Sequence, residues 1–460
     1  MLKPALRRAW RGRNTVQFGV TPAHAVTLGP VDIATGSFLE LLDGTRGLPL
    51  LREEARALDL SDRHVDVLVR RLAEAGLLDD PRAGGPQADV LRHRAEVMER
   101  QRPDVASLSV VHPGPGEGLR RMAARRAMRV QVRGAGRVGA SIAAVLSGSG
   151  VGQVEVLDGG RAEPGDVAPA GLPPAAVGER RDVAARRLVR RAAAGPAPRS
   201  AGADRNPAGG QPGLSLIVVA PRDGLSVYAP VPDTAAPWIA SGTPHLYAGV
   251  IEATGVVGPL VLPGGTGCAG CLELHRADRD SQWPRMLAQW RSGRRGAVPA
   301  CDLALATAVA GLAAAHALSF LDGELPASTG ARWEAALPLL DWRSERIGPH
   351  ADCSCGAATG TEGQGPPAPF RRRTQWPGDR RRRVTPEDQA ARQSGNWRGT
   401  CLIFPGRRLR VPPNWPRSRS ASPAVPHGVW ASGSAAGRPS WSPARCSSAR
   451  RTSCSRPWES

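Results

Sequence analysis

Lysine is all but missing from this chain: Lys3 is the only one among 61 basic side chains in 460 residues. Nearly all of the positive charge is therefore arginine, accompanied by abundant alanine, glycine and proline. That is the composition of a GC-rich coding sequence rather than of a surface selected for phosphate contacts. An apolar run behind the basic start is missing too. Met1 to Arg13 leads into Asn14-Thr-Val-Gln, so no secretory signal is expected and a cytoplasmic location is. In that compartment the eight cysteines argue for metal binding or thiol chemistry and against a disulfide framework.

The net charge of +20 would ordinarily suggest nucleic acid or a membrane surface. Residues 357–460 carry nineteen arginines against five acids and so supply most of that excess. The body of the chain is only mildly basic, and neither nucleic acid nor a membrane is expected as a partner. Leu303 to Leu321 is long and uncharged enough to span a bilayer. Its alanine content and the interrupting His316 favour a buried packing helix.

Residues 1–80 read as a small winged helix, an α+β unit. Thr15-Val-Gln-Phe-Gly and Ala25-Val-Thr-Leu have strand character, and Ser37–Leu42 and Leu48–Ala57 have helical character. Ser61 can cap a third helix in which Val65, Leu68, Val69 and Leu72 share a face, and Gly76 ends it. The unit balances eleven basic against eleven acidic side chains, whereas a DNA reader shows a basic face. A winged helix can instead accept a peptide as an added strand on its sheet edge. Residues 81–128 read as a Pro/Gly-punctuated linker with one Arg-rich helical stretch, Gly118–Met128.

An α/β domain follows over residues 129–356. Val130-Gln-Val-Arg-Gly134-Ala-Gly136-Arg-Val-Gly139 reads as a strand, a glycine turn and the start of a helix, and Val154-Glu-Val-Leu-Asp158 as a second strand ending in an acid. Gly134 permits the tight turn, Gly136 lets a phosphate approach the backbone, and Gly139 lets the helix pack close to its strand. Asp158 falls about 20 residues on, where a ribose-binding carboxylate belongs. Leu214–Ala220 and His245–Val250 read as central parallel strands, with Gly255–Pro263 pairing beyond them.

Cys268-Ala-Gly-Cys271 and Cys353-Ser-Cys355 flank a long helical segment, and four thiolates gathered tetrahedrally make a structural zinc site. The short C-x-C spacer strains simultaneous ligation, so His350 is a substitute ligand. A redox C-x-x-C and two unrelated thiol pairs are the alternatives. Cys301 precedes Asp302 and the apolar helix, where a helix N-terminus can lower a thiol pKa, or where a small residue simply packs. From Ala357 the chain changes to Arg, Pro, Ser and Trp without helical or strand period. Residues 357–460 are therefore expected to be a disordered tail, with the composition of an out-of-frame reading.

Glycine loop, Asp158, the strand before Asp223, the C-x-x-C, Cys301 with its long helix and the final C-x-C resemble, in that order, the ThiF/MoeB family of ubiquitin-activating-type adenylyltransferases. The resemblance implies a Rossmann-like domain that holds ATP on Gly134, Gly136 and Gly139, its ribose on Asp158 and magnesium through Asp223. The reaction it implies joins the carboxylate of a peptide or small protein to the α-phosphate and releases pyrophosphate. The sequence departs from the family in three places. Its Asn-Leu-x-Arg-Gln segment is replaced by Asp166–Leu172, its helical lysine by Arg180 or Arg181, and the arginine after Asp223 is absent.

The amino-terminal unit resembles the PqqD-like leader-peptide recognition elements. That pairing resembles the precursor-binding partners of azoline-forming cyclodehydratases, in which the ThiF-like part can be a non-catalytic scaffold for a separate YcaO-type enzyme. A homodimer is the common ThiF-like state. An NAD-dependent oxidoreductase fits the glycine loop and Asp158 but leaves the cysteines unexplained.

Overall fold

The computed structural model describes residues 1–196, 213–293 and 298–358, all within one compact unit that spans Met1–Gly406. The expectation for the tail beyond residue 358 lies outside the described residues.

The chain opens with a three-stranded antiparallel sheet of β1 (Arg8–Gly12), β2 (Thr15–Phe18) and β3 (Val26–Leu28), in that order. Helices α1 (Ile33–Leu41), α2 (Leu48–Ala57) and α3 (Asp62–Glu74) cover it. Asp32 caps α1 by accepting from the Thr35 N–H, and Ser61 caps α3 by accepting from the His64 N–H. Val65, Leu68 and Leu72 of α3 join Val16, Phe18 and Phe38 in one core. Strand β1 was not evident in the sequence, because every residue after Arg8 in it is exposed.

Residues 81–128 hold three helices where the pattern suggests a single helical stretch: α4 (Pro86–Arg92), α5 (Ala95–Val111) and α6 (Glu117–Arg125). They enclose a core of their own around Leu91, Val97, Leu108 and Met122. Lys3, the only lysine, is buried, and its ammonium donates to the carbonyls of Ser109 and Pro113 at the end of α5. A cation at a helix C-terminus answers the unpaired carbonyls there.

The main sheet has seven strands in the order β10-β9-β8-β7-β6-β4-β5. Its parallel half comprises β4 (Arg129–Arg133), β5 (Gln153–Leu157), β6 (Leu216–Val219) and β7 (His245–Ile251). Its antiparallel half adds β8 (Thr254–Val261), β9 (Ala331–Ala336) and β10 (Arg343–Arg346). Crossovers α7 (Arg137–Gly148) and α8 (Arg181–Ala192) link the first strands. The short α9 (Leu225–Tyr228) and α10 (Pro232–Ala240) lead into β7, and α11 (Ala269–Arg279), α12 (Trp283–Ser292) and α13 (Leu303–Leu321) lie between β8 and β9.

Period-two alternation divides the core between the two faces of this sheet. Leu216 and Val218 of β6 face the cluster built with α7 and α13, while Ile217 and Val219 face the one that contains Trp238, Cys268 and Leu272. Helix α13 is long and apolar enough to cross a membrane, one such helix among the described residues. It packs on α7, β7 and β8, burying Leu305, Val309, Ala313 and Ala317. Small alanines let it approach α7 closely.

Candidate functional site

The sheet's parallel half ends in the glycine turn. Gly134 takes φ +113°, and a side chain there would meet the Ala220 carbonyl at 2.0 Å, so the loop after β4 lies directly against the end of β6. A Cβ on Gly139 would stand 2.2 Å from the Gly134 carbonyl, which holds α7 close to its strand. Gly136 is the N-cap of α7, leaving that helix's first N–H groups toward the cleft. The cleft is bounded by Gly136, Arg137, Asp166, Arg222, Val250 and Cys301 and has about 30 Å³ of free volume. That is room for one or two waters.

Asp158 follows β5 and sits on the far side of the turn. Its carboxylate accepts from the Ala135 N–H at 2.9 Å, the Gly160 N–H at 2.8 Å and Arg181 Nε at 2.9 Å. Of the two candidate arginines, Arg181 therefore reaches the site, whereas Arg180 turns to Asp182 at 3.0 Å. Arg181 also lies 3.4 Å from Asp166. Asp223 does not line the cleft; its Oδ1 accepts from the Leu225 N–H at 3.0 Å and caps the turn into α9.

Four charged residues of the site were not assigned from sequence. Arg222 donates through Nε to Asp166 at 2.7 Å and through Nη1 to Glu163 at 3.1 Å. Arg137 donates to the Cys301 carbonyl at 2.7 Å, and its Nε is buried with no hydrogen-bond partner. Arg137 lies inside the glycine fingerprint and Arg222 next to Asp223, so their neighbours in the chain were the only signal. The pairing of Arg222 with Glu163 and Asp166 spans more than fifty positions and leaves no local trace. Cys301 lines the same cleft, but burial raises its pKa. That direction suits the packed residue of the two alternatives that its position offers.

The four cysteines meet on the opposite face of the sheet. Cys268 is the N-cap of α11 and Cys271 lies in its first turn. Cys268 Sγ is 3.9 Å from Cys271 and 3.6 Å from Cys353, and Cys271 is 3.6 Å from Cys355. A tetrahedral ion with metal–sulfur bonds of about 2.3 Å needs sulfurs about 3.8 Å apart, so the spacing suits one bound cation. The Cys271 pKa is pushed down, first by the hydrogen bond from the Cys268 thiol and also by the His350 N–H, 3.4 Å away. Burial pushes Cys353 up to about 11. A Cβ on Gly267 would stand 2.5 Å from the Gly348 carbonyl, so this glycine is what lets the two knuckles touch. Cys355 completes the set, and the imidazole of His350 is directed elsewhere, with Nε2 2.8 Å from Asp278.

A sheet with a glycine turn at the switch between β4 and β6, a cleft at the strands' carboxyl ends and a four-cysteine cluster define a Rossmann-like nucleotide-fold protein with a metal-suited knuckle. The model of the ThiF family matches residues 115–196. No curated protein matches the sequence. Among solved structures, E. coli MccB with MccA-N7isoASN aligns with TM-score 0.57 at 16% identity, covering 78% of this chain and 99% of that one. E. coli MccB with ATP aligns with TM-score 0.54 at 16% identity, over 77% and 99% of the two chains. PaaA gives TM-score 0.56 at 16% identity, over 76% and 100%. The likeness is one of fold and extends over the whole length of those proteins.

Proposed function

We propose that this chain binds a precursor peptide through its amino-terminal winged-helix unit and presents the peptide's carboxylate to ATP at the glycine-loop cleft. The step belongs to ribosomal peptide modification in the cytoplasm. The observation that carries this reading is the convergence of the α7 N-terminus with Arg137 and Arg222 in one cleft, an arrangement suited to phosphate. Further support comes from MccB, whose fold the chain shares and which has been solved with ATP and, as a microcin C7 biosynthetic enzyme, with N-formylated MccA.

In this reading Gly134, Gly136 and Gly139 cradle phosphates, Asp158 holds the ribose, Arg181 stands as the helical cation, and Asp223, which at rest caps the turn into α9 outside the cleft, turns inward to hold the magnesium. ATP, when bound, supplies the α-phosphate to which the peptide carboxylate bonds as pyrophosphate leaves. The chain's own part is to bind, orient and neutralise. Arg222 must swing away from Glu163 and Asp166, because the free volume is too small for a nucleotide while it is in place. Asp158 already accepts two donors on Oδ1 but only one on Oδ2, which leaves Oδ2 a lone pair for a ribose hydroxyl. The four cysteines hold a structural zinc that fixes α11 against the chain after β10. The three-stranded sheet has β1 and β3 as its edges, and an extended peptide adds there through main-chain hydrogen bonds.

A second reading is favoured by the ion pairs themselves. Arg181 and Arg222 are already neutralised by Asp158, Asp166 and Glu163, which suits a scaffold that binds the peptide for a separate YcaO-type cyclodehydratase and turns over no ATP. Calorimetric titration of the full chain with ATP and magnesium, and with a leader peptide encoded beside it, tests the proposal. Both are expected to bind, and Arg137→Ala should weaken ATP about tenfold, the loss of one charge-assisted hydrogen bond, while leaving the peptide unaffected. Peptide binding without any ATP binding would leave the scaffold; absence of both would remove the proposal.

A further inference from the structure

Beside the cysteine cluster, and outside it, three other donors gather. His275 and Asp278 stand one turn apart on α11, and His350 lies in the segment leading to Cys353. Their donor atoms lie within 4.8 Å of one another. His350 Nε2 is 2.8 Å from Asp278 Oδ2, and the two imidazoles meet edge-on with centroids 4.9 Å apart. His275 Nε2 lies 3.1 Å from the Gly348 carbonyl, the kind of outer hydrogen bond that orients a ligating imidazole. The cluster opens on a cavity of about 310 Å³ lined by Leu272, His275, Asp278, Arg279, Glu345 and Gly348.

We propose that His275, Asp278 and His350 form a second divalent-cation site, for a borderline ion of the zinc class, independent of the four-cysteine cluster. Two imidazoles and one carboxylate are the donor set that such an ion takes in sites with an open position. Three protein ligands leave that position facing the cavity, where water or a small anion can enter. The donors come from α11 and from the 348–352 segment, so a bound ion clips these together immediately before Cys353 and Cys355. Ligation through His350 Nε2 places the ring proton on Nδ1, which at present accepts from the Asp352 N–H at 3.1 Å. Metal uptake therefore releases that amide.

The test uses the full chain, stripped of metal by a chelator under reducing conditions and titrated with cobalt(II). Thiolate ligation gives near-ultraviolet charge-transfer absorption, whereas nitrogen and oxygen ligation gives only weak visible bands. The wild type is expected to bind one equivalent more than His275→Gln and than Asp278→Asn, with the thiolate absorption equal in all three. Asp278 is exposed, so its isosteric replacement leaves the fold intact even if the histidine variant does not fold. Other donors, including Cys401, Cys446, Cys454 and His427, are common to all three proteins and cancel in the difference. Equal stoichiometry in the wild type and Asp278→Asn would overturn the proposal. So would loss of the thiolate absorption together with the equivalent, for the cluster would then serve only the cysteine site.

Discussion

His245, the first residue of β7, is fully buried between the rings of Trp238 and Tyr247, centroids 5.3 and 5.6 Å away. Its Nε2 has no hydrogen-bond partner, and burial lowers its pKa to about 4 against the opposing contact with the Thr243 carbonyl. The unfolded chain therefore takes up a proton below about pH 6.5 that the folded chain refuses until about pH 4. Stability is complete above that window and falls by a few kcal/mol as the pH drops through it. His112 and His316, also lowered first by burial, act in the same direction. Denaturant titrations from pH 7.5 to 4.5 should show this slope, and His245→Phe should flatten it; an unchanged slope would mean the imidazole is solvated. At this scale the glycines and cysteines of the two sites were legible in the sequence, because their chemistry requires those residue types at those spacings. The cleft's acids and arginines were not, since Arg222, Glu163 and Asp166 acquire their roles only when distant segments meet.

Among the elements, three helix ends are tied by one residue. Arg125, the last residue of α6, donates through Nε and Nη2 to the two oxygens of Asp322 at 2.8 and 2.6 Å, and through Nη1 to the Ser149 carbonyl at 3.1 Å. Asp322 is the C-cap of α13 and Ser149 that of α7, so an acid stands at a helix end where the dipole disfavours it. The pair compensates, and both side chains are below a tenth exposed. Asp322→Ala leaves an uncompensated buried guanidinium and should cost about 3–5 kcal/mol, measured by chemical denaturation. Arg125→Met combined with Asp322→Leu should recover most of that loss, and if the single variant costs nothing, water reaches the site. The same logic explains which elements the sequence disclosed. Strands β6 and β7 are continuous apolar runs, and α13 begins and ends at the expected residues. Helix α5 is hidden by Pro103 and by a buried face that includes Gln101 and Ser109. Strands β9 and β10 are hidden by charge, because buried Arg332 is neutralised by Glu334 and by Glu345 across the pair.

In the whole molecule, an amino-terminal unit with two free sheet edges, a helical layer joined to it through Lys3, and a nucleotide-type sheet follow one another within a single compact body. The cleft lies at the carboxyl ends of the parallel strands, where open α/β sheets bind ligands, and the cysteine cluster lies on the opposite face. Under the proposed function, peptide capture on the amino-terminal sheet edge and carboxylate chemistry in the cleft occupy separate surfaces, so loss of ATP binding need not abolish peptide binding. In the proposed activating protein Arg222 leaves Glu163 and Asp166 for an incoming anion, whereas a scaffold can keep that pairing and turns over no ATP. Pyrophosphate exchange into ATP, measured with the full chain, magnesium and a bound precursor peptide, reads that difference directly. Peptide-dependent exchange that disappears in Asp223→Ala is the predicted result. Saturating peptide binding with no exchange above the peptide-free background would contradict the account.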